Sequence, residues 1–371
     1  MGERPLRILF LSWRDHAHPE AGGAEIFLDR VTSWLAERGH SVTIVTARYP
    51  GSLATEVIDG RTFIRKGGRF SVYGRSMITT ALRGNAADVI VDVQNGIPFW
   101  SPAVTRTPVI NLVHHVHREQ WPEVFGTTRA RFGWALESRV APAIYRNSHY
   151  IAVSQATRDE LISLGVDADR IEVVVSGLDR PTSDVVYDPD APPLLSVLGR
   201  LVPHKRVEIA LRTVVALQEE FPGITLDVLG QGYWLPQLRE QARALGIEKS
   251  VRFAGFVSEQ EKADVLSASA VSLLPSLKEG WGLAVIEAGS LGAPVVAFRE
   301  AGGVTESVLD GRTGWLAEDE GDFIDKVRGL LRDREQRRVM SDNARIYASG
   351  FTWSATAARL EEILTATAQG R

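Results

Sequence analysis

The sequence SLKEGWGLAVIEAGSLGAPVVAF occupies residues 276–298 and combines a turn, the start of a helix and a buried strand. The two glycines beside Trp281 predict the turn, because glycine adopts backbone angles that other residues avoid and lets a ligand approach the main chain. We predict a short helix from Leu283 and, once Gly292 has ended it, a β-branched strand. A helix that begins just after two glycines offers unpaired N–H groups and a positive dipole end, which favour phosphate.

Two carboxylates lie eight residues apart in this stretch, with Glu279 before the turn and Glu287 inside the predicted helix. One carboxylate can face the reacting part of a ligand while the other accepts hydrogen bonds from hydroxyl groups. Carboxylates do not neutralise phosphate, so cations must come from elsewhere. Arg200 and Lys205 supply them in the sequence GRLVPHKR at residues 199–206. Arginine can bind two phosphate oxygens at once, whereas lysine supplies a compact charge.

Length and composition limit the class of protein. A chain of 371 residues exceeds a typical single domain and predicts two domains. The net charge of −4 gives no electrostatic reason to expect a nucleic-acid partner. The absence of cysteine excludes disulfides, thiolate metal sites and cysteine nucleophiles. The apolar run near the N-terminus is too short for a signal peptide, and no run approaches the roughly 18 apolar residues of a membrane span. We therefore expect a cytoplasmic protein.

Strand-like and helix-like segments alternate in both halves, which predicts an α/β fold with parallel sheets. The predicted strands are Arg7–Ser12, Ser41–Thr46, Val89–Val93, Val109–Leu112, Tyr150–Val153, Glu172–Val175, Leu194–Leu198, Thr225–Leu229, Val251–Ala254, Val271–Leu274 and Pro294–Ala297. The predicted helices include Ala24–Arg38, Arg129–Arg146, Val207–Glu220, Leu235–Leu245, Glu259–Ala268, Leu283–Leu291 and Ala355–Ala368. We predict an N-terminal domain over residues 1–180, a proline-rich linker over 181–193 and a C-terminal domain over 194–351.

The two motifs together resemble those of the retaining glycosyltransferases of family 4. That family carries an R-x4-K element, matched by Arg200 and Lys205, and an E-x7-E element, matched by Glu279 and Glu287. The resemblance implies the GT-B architecture, in which two Rossmann-like, doubly wound domains face each other across a cleft. It also implies that the last helix, over residues 352–371, packs on the N-terminal domain. One departure is Arg206, which stands where the family usually has a glycine.

The resemblance implies a function for each of these residues. Arg200 and Lys205 would bind the diphosphate of a nucleotide-sugar donor and stabilise the charge that develops there. Glu279 would bind the donor sugar near its reacting carbon, and Glu287 the ribose hydroxyl groups. Further expected contacts are N–H groups at the helix start and residues near the nucleotide base, namely Gly282, Leu283, Gly230, Phe256 and Val257. No bound metal and no other cofactor are expected.

The N-terminal half contains two further candidates. Gly22 and Gly23 open a predicted helix after the first strand, and the family's glycine loop lies near the donor diphosphate and the acceptor. His114 follows a strand in the sequence HHVHR, and the family has a catalytic histidine at this point that reaches the donor sugar. His115 occupies the position of the family's aspartate, so the choice between the two histidines stays open. A zinc site formed by these histidines is disfavoured, because no nearby acidic residue has ligand spacing.

The expected reaction is transfer of a sugar from a nucleotide-diphosphate sugar to a hydroxyl group, with attack on the face from which the phosphate leaves. The alternatives are a glycosyl phosphorylase or epimerase of the same fold, and a non-catalytic nucleotide-sugar-binding partner protein. The acceptor is a small molecule, a glycan or a lipid-linked compound. Arginines and aromatic residues at 129–146 raise the question of peripheral membrane contact, but core packing with a solvated arginine edge is favoured.

Overall fold

The computed structural model describes residues 4–118, 120–124, 126–179 and 182–370. Over these residues the chain forms two compact units. The first unit runs up to Gly177 and takes in the chain again from Thr352, and the second unit spans Leu178–Phe351. Each unit has its own sheet and its own hydrophobic packing.

Strands and helices alternate along most of the chain. The strands of the described part are β1 (Arg7–Leu11), β2 (Ser41–Thr46), β3 (Thr55–Ile58), β4 (Arg61–Arg65), β5 (Val89–Gln94), β6 (Val109–Val113), β7 (His149–Ala152), β8 (Ile171–Val173), β9 (Leu194–Leu198), β10 (Thr225–Leu229), β11 (Val251–Gly255), β12 (Val271–Leu274), β13 (Val295–Phe298) and β14 (Gly314–Ala317). The α-helices there are α1 (Gly23–Glu37), α2 (Ser71–Arg83), α3 (Gln120–Val124), α4 (Thr127–Ala135), α5 (Ala141–Ile144), α6 (Gln155–Ser163), α7 (Val207–Leu217), α8 (Leu235–Ala244), α9 (Glu259–Ala268), α10 (Leu283–Ser290), α11 (Val304–Ser307), α12 (Glu320–Arg332), α13 (Arg334–Ala348) and α14 (Trp353–Ala368).

In the described part of the first unit, eight strands form one sheet in the order β3-β4-β2-β1-β5-β6-β7-β8. Neighbouring strands are parallel except for β3 and β4. In β1, Ile8 aligns with Val42 of β2 on one side and with Val89 of β5 on the other. The chain leaves β1 towards β2 and returns at β5, so the carboxyl ends of β1 and β5 flank a topological switch point.

Helices cover both faces of this sheet. Phe27, Val31 and Leu35 of α1 lie four residues apart and pack with Leu360 of α14 in one core. Val72 of α2 belongs to a second core on the other face. Successive residues of β1 contribute to these two cores in turn, because side chains alternate between the faces of a strand.

Polar contacts also tie the C-terminal helix α14 to the first unit. Glu361 accepts hydrogen bonds from Trp34 Nε1 at 3.2 Å and from Arg38 Nε at 2.9 Å. His40 Nδ1 accepts the N–H of Leu6 at 3.0 Å, so the ring proton is on Nε2, which lies 2.9 Å from Glu361 Oε1. Because Trp34, Arg38 and His40 of the first unit all contact Glu361, this helix is an integral part of that unit.

The described part of the second unit has a fully parallel sheet of six strands in the order β11-β10-β9-β12-β13-β14. The chain moves outward from β9 to β10 and β11, crosses back to β12 on the other side of β9, and continues to β13 and β14. The core contains the inward side chains of the strands, among them Leu195, Leu226 and Leu273. The carboxyl ends of β9 and β12 therefore flank the switch point of this unit.

The segment predicted as a linker is irregular, and its described part packs on the second unit. Tyr187 lies against the core, with the Arg337 guanidinium 4.7 Å from its ring centroid. Asp190 forms an ion pair with Arg334 at 2.8 Å. Residues 182–193 therefore form part of the surface of that unit. Their irregular backbone and their proline content agree with the sequence pattern, which did not predict these contacts.

The helical segment predicted over Arg129–Arg146 is present, but it is not α-helical throughout. It comprises α4, a π-helical segment at Leu136–Val140 and the single turn α5, which follow one another without a gap. Pro142 lies at the start of α5 and has no N–H, so the regular hydrogen-bond ladder cannot continue through it. A π-helical turn absorbs the extra residue at such a break.

Candidate active site

Three loops meet at the carboxyl edge of the sheet in the second unit. They follow β9, β12 and β13, and backbone hydrogen bonds link them, from Leu277 N–H to His204 O at 2.8 Å and from Glu279 N–H to Ala301 O at 2.9 Å. Strands β9 and β12 are neighbours, although the chain forms β10 and β11 between them. The loops that leave β9 and β12 run in opposite directions and so leave a crevice between them. Open α/β sheets bind ligands in such a crevice.

Lys205 and Glu279 meet at this crevice. Lys205 Nζ lies 2.5 Å from Glu279 Oε1, and the two side chains are only 18% and 13% exposed. Burial alone would raise the pKa of Glu279, but the charge and hydrogen bond of Lys205, with smaller contributions from Ser276 and His204, together lower that pKa. The carboxylate is therefore ionised at neutral pH. A cation and an anion, little exposed to water, are thus held together where the two strands end.

A second ion pair holds the other glutamate of the motif. Glu287 Oε1 lies 2.6 Å from Lys262 Nζ, and Lys262 also approaches Glu259 at 2.8 Å. Here burial outweighs the attraction of Lys262, so the pKa of Glu287 is raised. Lys262 belongs to α9, a helix that the sequence predicted, but no local pattern marked this lysine as a site residue. Only the fold brings the Nζ atom of Lys262 to the carboxylate of Glu287.

The loop that carries Glu279 is braced by the loop after β13. Gly303 N–H donates to Glu279 O at 3.2 Å. A Cβ atom on Gly303 would lie 2.0 Å from the backbone oxygen of Gly280, which is too close for any side chain. Gly303 is therefore required for this close approach of two backbones. Gly303 was not among the predicted site residues, although a pair of glycines at 302–303, in the loop after a predicted strand, was an available signal.

The start of α10 has the geometry that the sequence predicted. Gly282 has φ of +89°, a left-handed conformation that favours glycine, and it immediately precedes Leu283 at the first position of the helix. No side chain caps this helix start. The N–H groups of Gly282 and Leu283 are therefore at the helix end that carries partial positive charge, next to the loop of Glu279.

Arg206 occupies a backbone position where the family usually has glycine, and its side-chain contacts stabilise it there. It has φ of +46°, in the same left-handed region, directly after the single 3₁₀ turn Pro203–Lys205. Its Nε donates to Pro275 O at 2.9 Å, and its guanidinium lies 4.4 Å from the ring centroid of Phe298. The side chain thus links the loop of Lys205 to the ends of β12 and β13. A glycine here would fit the backbone and would lack these contacts.

Arg200 and Gly230 follow the neighbouring strands β9 and β10. Arg200 is half-buried directly after Gly199. Gly230 has φ of +137°, and a Cβ atom there would lie 1.9 Å from the backbone oxygen of Gly199. The N–H of Gly230 donates to Gly255 O at 2.8 Å. The glycine at 230 is therefore required by the packing of three loop backbones, whatever ligand the site binds.

Phe256 and Val257 follow β11 at the outer end of the same carboxyl edge. The Phe256 side chain is 84% exposed, whereas Val257 is partly buried. An aromatic ring exposed to this extent contributes little to the stability of the fold, and its face can stack on a planar ligand group. Gly255, with φ of +73°, turns the chain just before it.

In the first unit, Gly22 and Gly23 lie at the start of α1, as predicted. The N–H of Gly22 donates to Glu25 Oε2 at 2.7 Å, and Glu25 Oε1 accepts from Arg14 Nε at 3.0 Å. Both charged side chains are buried. The Gly22 amide expected to contact a ligand is thus already paired within the protein, whereas Gly23 is exposed.

His114 is buried at the end of β6. Burial, with a smaller contribution from the nearby His117, lowers the pKa of His114 to about 4, so the ring is neutral at pH 7. Its Nε2 atom is buried and has no hydrogen-bond partner among the described residues. The ring packs edge-on against Phe27 at 5.4 Å. A buried ring nitrogen without a protein partner is the atom most in need of a ligand group.

The two other histidines of this segment have protein partners. The rings of His115 and His117 lie 4.1 Å apart. His115 Nε2 lies 2.9 Å from Gln120 Oε1, and His117 Nδ1 lies 3.3 Å from Glu137 Oε1. In the ranges that the structure describes, no group of three or more acidic, histidine or cysteine side chains could hold a metal ion. The geometry favours His114 over His115 as the residue available to a ligand.

Two family models match consecutive parts of the chain. Residues 21–180 match the model described as Glycosyltransferase Family 4, and residues 181–347 match the one described as Glycosyl transferases group 1. The chain belongs to glycosyltransferase family 4. Over 417 aligned residues, this glycosyltransferase is 29% identical to the D-inositol 3-phosphate glycosyltransferase of Nocardia farcinica, with 98% of this chain and 90% of that protein covered.

Solved structures share the fold of this glycosyltransferase. Sucrose-phosphate synthase from Thermosynechococcus elongatus matches with a TM-score of 0.81 and 20% identity, covering 96% of this chain and 98% of that one. HepE from Anabaena, solved in complex with UDP-glucose, matches with a TM-score of 0.75 and 20% identity, covering 97% and 100%. The predictions of a transferase and of the GT-B fold are confirmed. No described helix has the length and apolar content that a membrane crossing requires.

The glycosyltransferase thus brings several predicted residues to one sheet edge. These are Arg200, Lys205, Gly230, Phe256, Val257, Glu279, Gly282, Leu283 and Glu287. His114, Gly22 and Gly23 lie at the corresponding edge of the other sheet. The structure adds Lys262, Gly303 and the contacts of Arg206, none of which the sequence analysis assigned to the site.

Proposed function

We propose that this glycosyltransferase moves a sugar from a nucleotide-diphosphate sugar to a hydroxyl acceptor and retains the configuration of the anomeric carbon. The observation that carries the proposal is the Lys205–Glu279 pair at the β9/β12 switch point, beside the start of α10. One site then offers a cation and helix N–H groups for phosphate and a carboxylate for sugar hydroxyls. HepE, which shares the fold, was solved with UDP-glucose, and this supports a nucleotide-sugar donor.

Donor binding divides between two parts of the site. Arg200 and Lys205 bind the diphosphate, and Glu279 accepts hydrogen bonds from the donor sugar. Glu287 accepts them from the ribose, while Lys262 fixes the position of its carboxylate. The exposed ring after β11, with the neighbouring Val257, flanks the nucleotide base. In this proposal the ligand diphosphate competes with Glu279 for the charge of Lys205.

The chemistry follows from where charge develops. When the bond between the anomeric carbon and the β-phosphate oxygen breaks, negative charge grows on that oxygen, and Arg200 and Lys205 stabilise it. The acceptor hydroxyl attacks from the face that the phosphate leaves, and the departing phosphate oxygen takes its proton, which gives retention. His114 donates a hydrogen bond from its neutral ring to a sugar hydroxyl. Protein cations balance the phosphate charge, so the proposal includes no bound metal.

Nucleotide binding tests the donor assignment directly. Thermal unfolding is measured with UDP, GDP, ADP and dTDP for the wild type, Lys205→Ala and the control Lys249→Ala, which removes an exposed lysine. A ligand at about 100 times its Kd stabilises a fold by roughly 2.7 kcal/mol. We expect one nucleotide to raise the Tm of the wild type and of the control, and to raise that of Lys205→Ala less. No shift with any nucleotide would reject the donor class.

Product analysis then tests the reaction type. With the nucleotide identified, the matching sugar donors are incubated with a panel of small-molecule, glycan and lipid-linked acceptors, with and without EDTA. NMR coupling at the anomeric carbon distinguishes retention from inversion. We expect a retained configuration and equal rates with and without chelator. Turnover that requires inorganic phosphate and no acceptor sugar would indicate a phosphorylase instead, and nucleotide binding without turnover would indicate a binding protein.

A further inference from the structure

Helix α2 exposes two large aliphatic side chains. Ile78 is 62% exposed and Leu82 is 80% exposed. The inner side of the same helix is mostly small or polar: its buried residues are Val72, Ser76, Thr79 and Thr80, and Tyr73 stacks on Phe99. A helix on the surface of a globular protein normally turns its aliphatic residues towards the core. The exposed aliphatic groups of α2 therefore have no core-packing role.

The charges around α2 all have the same sign. Residues 66–83 contain Lys66, Arg69, Arg75 and Arg83 and no acidic residue. All four side chains lie in exposed positions. None of them forms an ion pair with another residue in the part of the chain that the structure describes. The positive charge of this helix is therefore not neutralised within the unit.

Spacing places these groups on one face. Ile78 and Leu82 are four residues apart, and Arg75 lies three residues before Ile78, so the three share one side of the helix. Phe70, which directly precedes the helix, is 68% exposed. We call the exposed side chains of Phe70, Arg75, Ile78, Leu82 and Arg83 the α2 surface. It combines aliphatic and aromatic groups with cations along about three turns of helix.

We propose that the α2 surface binds a lipid bilayer that contains anionic headgroups. Its apolar side chains would enter the boundary between headgroups and acyl chains, while the arginines contact the phosphates. A nucleic acid would use the arginines but would leave Ile78 and Leu82 in water. An acidic protein partner would use both, but the aliphatic and cationic groups lie along a single helix, the arrangement of interfacial helices that bind anionic bilayers. The inference concerns the first unit alone and does not depend on the proposed reaction.

Vesicle sedimentation tests the proposal without any measurement of activity. The full chain is centrifuged with vesicles of pure phosphatidylcholine and with vesicles of phosphatidylcholine and phosphatidylglycerol in a 7:3 ratio. We expect binding to the anionic vesicles only, and weaker binding in 0.5 M NaCl. The double variant Ile78→Ser/Leu82→Ser should lose roughly tenfold in affinity because the apolar contacts are gone. Arg75→Glu/Arg83→Glu should lose at least about tenfold, since each cation near an anionic surface contributes about 1 kcal/mol.

A matched control removes exposed apolar groups elsewhere. Val186 and Ile346 of the second unit are 82% and 71% exposed. Val186→Ser/Ile346→Ser therefore also replaces two exposed aliphatic side chains with serine, but away from α2. This control should bind as the wild type does, and circular dichroism melting should show all variants folded. Wild type that stays in the supernatant, or equal binding by all variants, would overturn the proposal. A concentration-dependent dimer that only the α2 variants lose would assign the surface to a second copy of the chain.

Discussion

Lys205 Nζ lies 2.5 Å from Glu279 Oε1. The two residues lie in the loops after β9 and β12, the strands that flank the switch point of their sheet. The pair joins the R-x4-K and E-x7-E elements, which are 74 residues apart from Lys205 to Glu279. The cation proposed to bind the donor phosphate is therefore already oriented by the carboxylate proposed to bind the donor sugar. Preorganised charge of this kind stabilises a transition state with little rearrangement.

Replacing Lys205 with alanine should lower turnover at least roughly tenfold, the scale of losing one charged contact in the transition state. The pKa of Glu279 should rise as well, because its largest source of stabilisation as an anion is gone. Initial rates at saturating donor measure the effect on turnover. Lys249→Ala serves as the control and should leave the rate unchanged. A near-normal rate for Lys205→Ala would refute the assignment of this lysine.

Arg206 allows the backbone and side-chain contributions of one residue to be separated. Arg206→Gly removes the hydrogen bond to Pro275 O and relieves the left-handed strain, whereas Arg206→Ala removes the same contacts and keeps the strain. Left-handed backbone costs a non-glycine residue about 1 kcal/mol. We therefore expect Arg206→Ala to be less stable than Arg206→Gly by about 1 kcal/mol in urea unfolding. Equal stabilities would show that the loop changes conformation when the arginine is lost.

Both Arg206 variants should lose activity to a similar extent, because both release the loop of Lys205 from the ends of β12 and β13. The loss should appear mainly in kcat, since the loop residues themselves remain. If Arg206→Gly is nearly as active as wild type and only the less stable Arg206→Ala loses activity, the role of Arg206 is structural.

His114 should make the free energy of unfolding depend on pH. Its pKa is about 4 in the folded chain and near 6.5 when unfolded, so the unfolded chain binds a proton first as the pH falls. This contribution to stability is complete above pH 6.5 and declines towards pH 4. Asp92 acts in the opposite direction, because burial raises its pKa to about 6 and the folded chain then binds the proton first. The wild type alone therefore shows only the difference of the two effects.

The variant His114→Gln isolates the histidine. Relative to wild type, its free energy of unfolding should increase by about 2 kcal/mol between pH 7 and pH 5, because it no longer gains a proton on unfolding. Urea titrations at pH 7, 6 and 5 measure this change. If the difference between variant and wild type is the same at all three pH values, the pKa of the folded ring is not lowered, which would contradict its burial without a protein partner.

Gly230 and Gly329 provide a contrast between two glycine replacements. Gly230→Ala places a Cβ atom 1.9 Å from Gly199 O at φ of +137°, so we expect a loss of at least about 2 kcal/mol and weaker nucleotide binding. Gly329→Ala lies inside α12 with open space around the new atom, and should gain roughly 0.5–1 kcal/mol. Thermal melts of both variants test the pair. A tolerated alanine at 230 would mean that the loop backbones do not approach so closely.

The family, the α/β class and most of the strands of both sheets were predictable from local sequence pattern. In the second unit the predicted strands Leu194–Leu198, Thr225–Leu229 and Val271–Leu274 have the observed bounds. These strands are buried apolar runs, and the motif residues follow them directly, so local pattern sufficed. The predicted segments did not include β3, β4, β14, α2, α3, α6, α11, α12 or α13, and in α2 the aliphatic residues Ile78 and Leu82 face outward.

Which groups meet depends on tertiary packing. Lys262 of α9 pairs with Glu287 of α10, and Gly303 is needed because two loops after different strands touch. Arg206 replaces a glycine because Pro275 and the ring at the end of β13 lie within its reach. Spacing along the chain reports which residues share a face of one helix or strand. It does not report which distant elements pack together, and burial and charge pairing at a site depend on that packing.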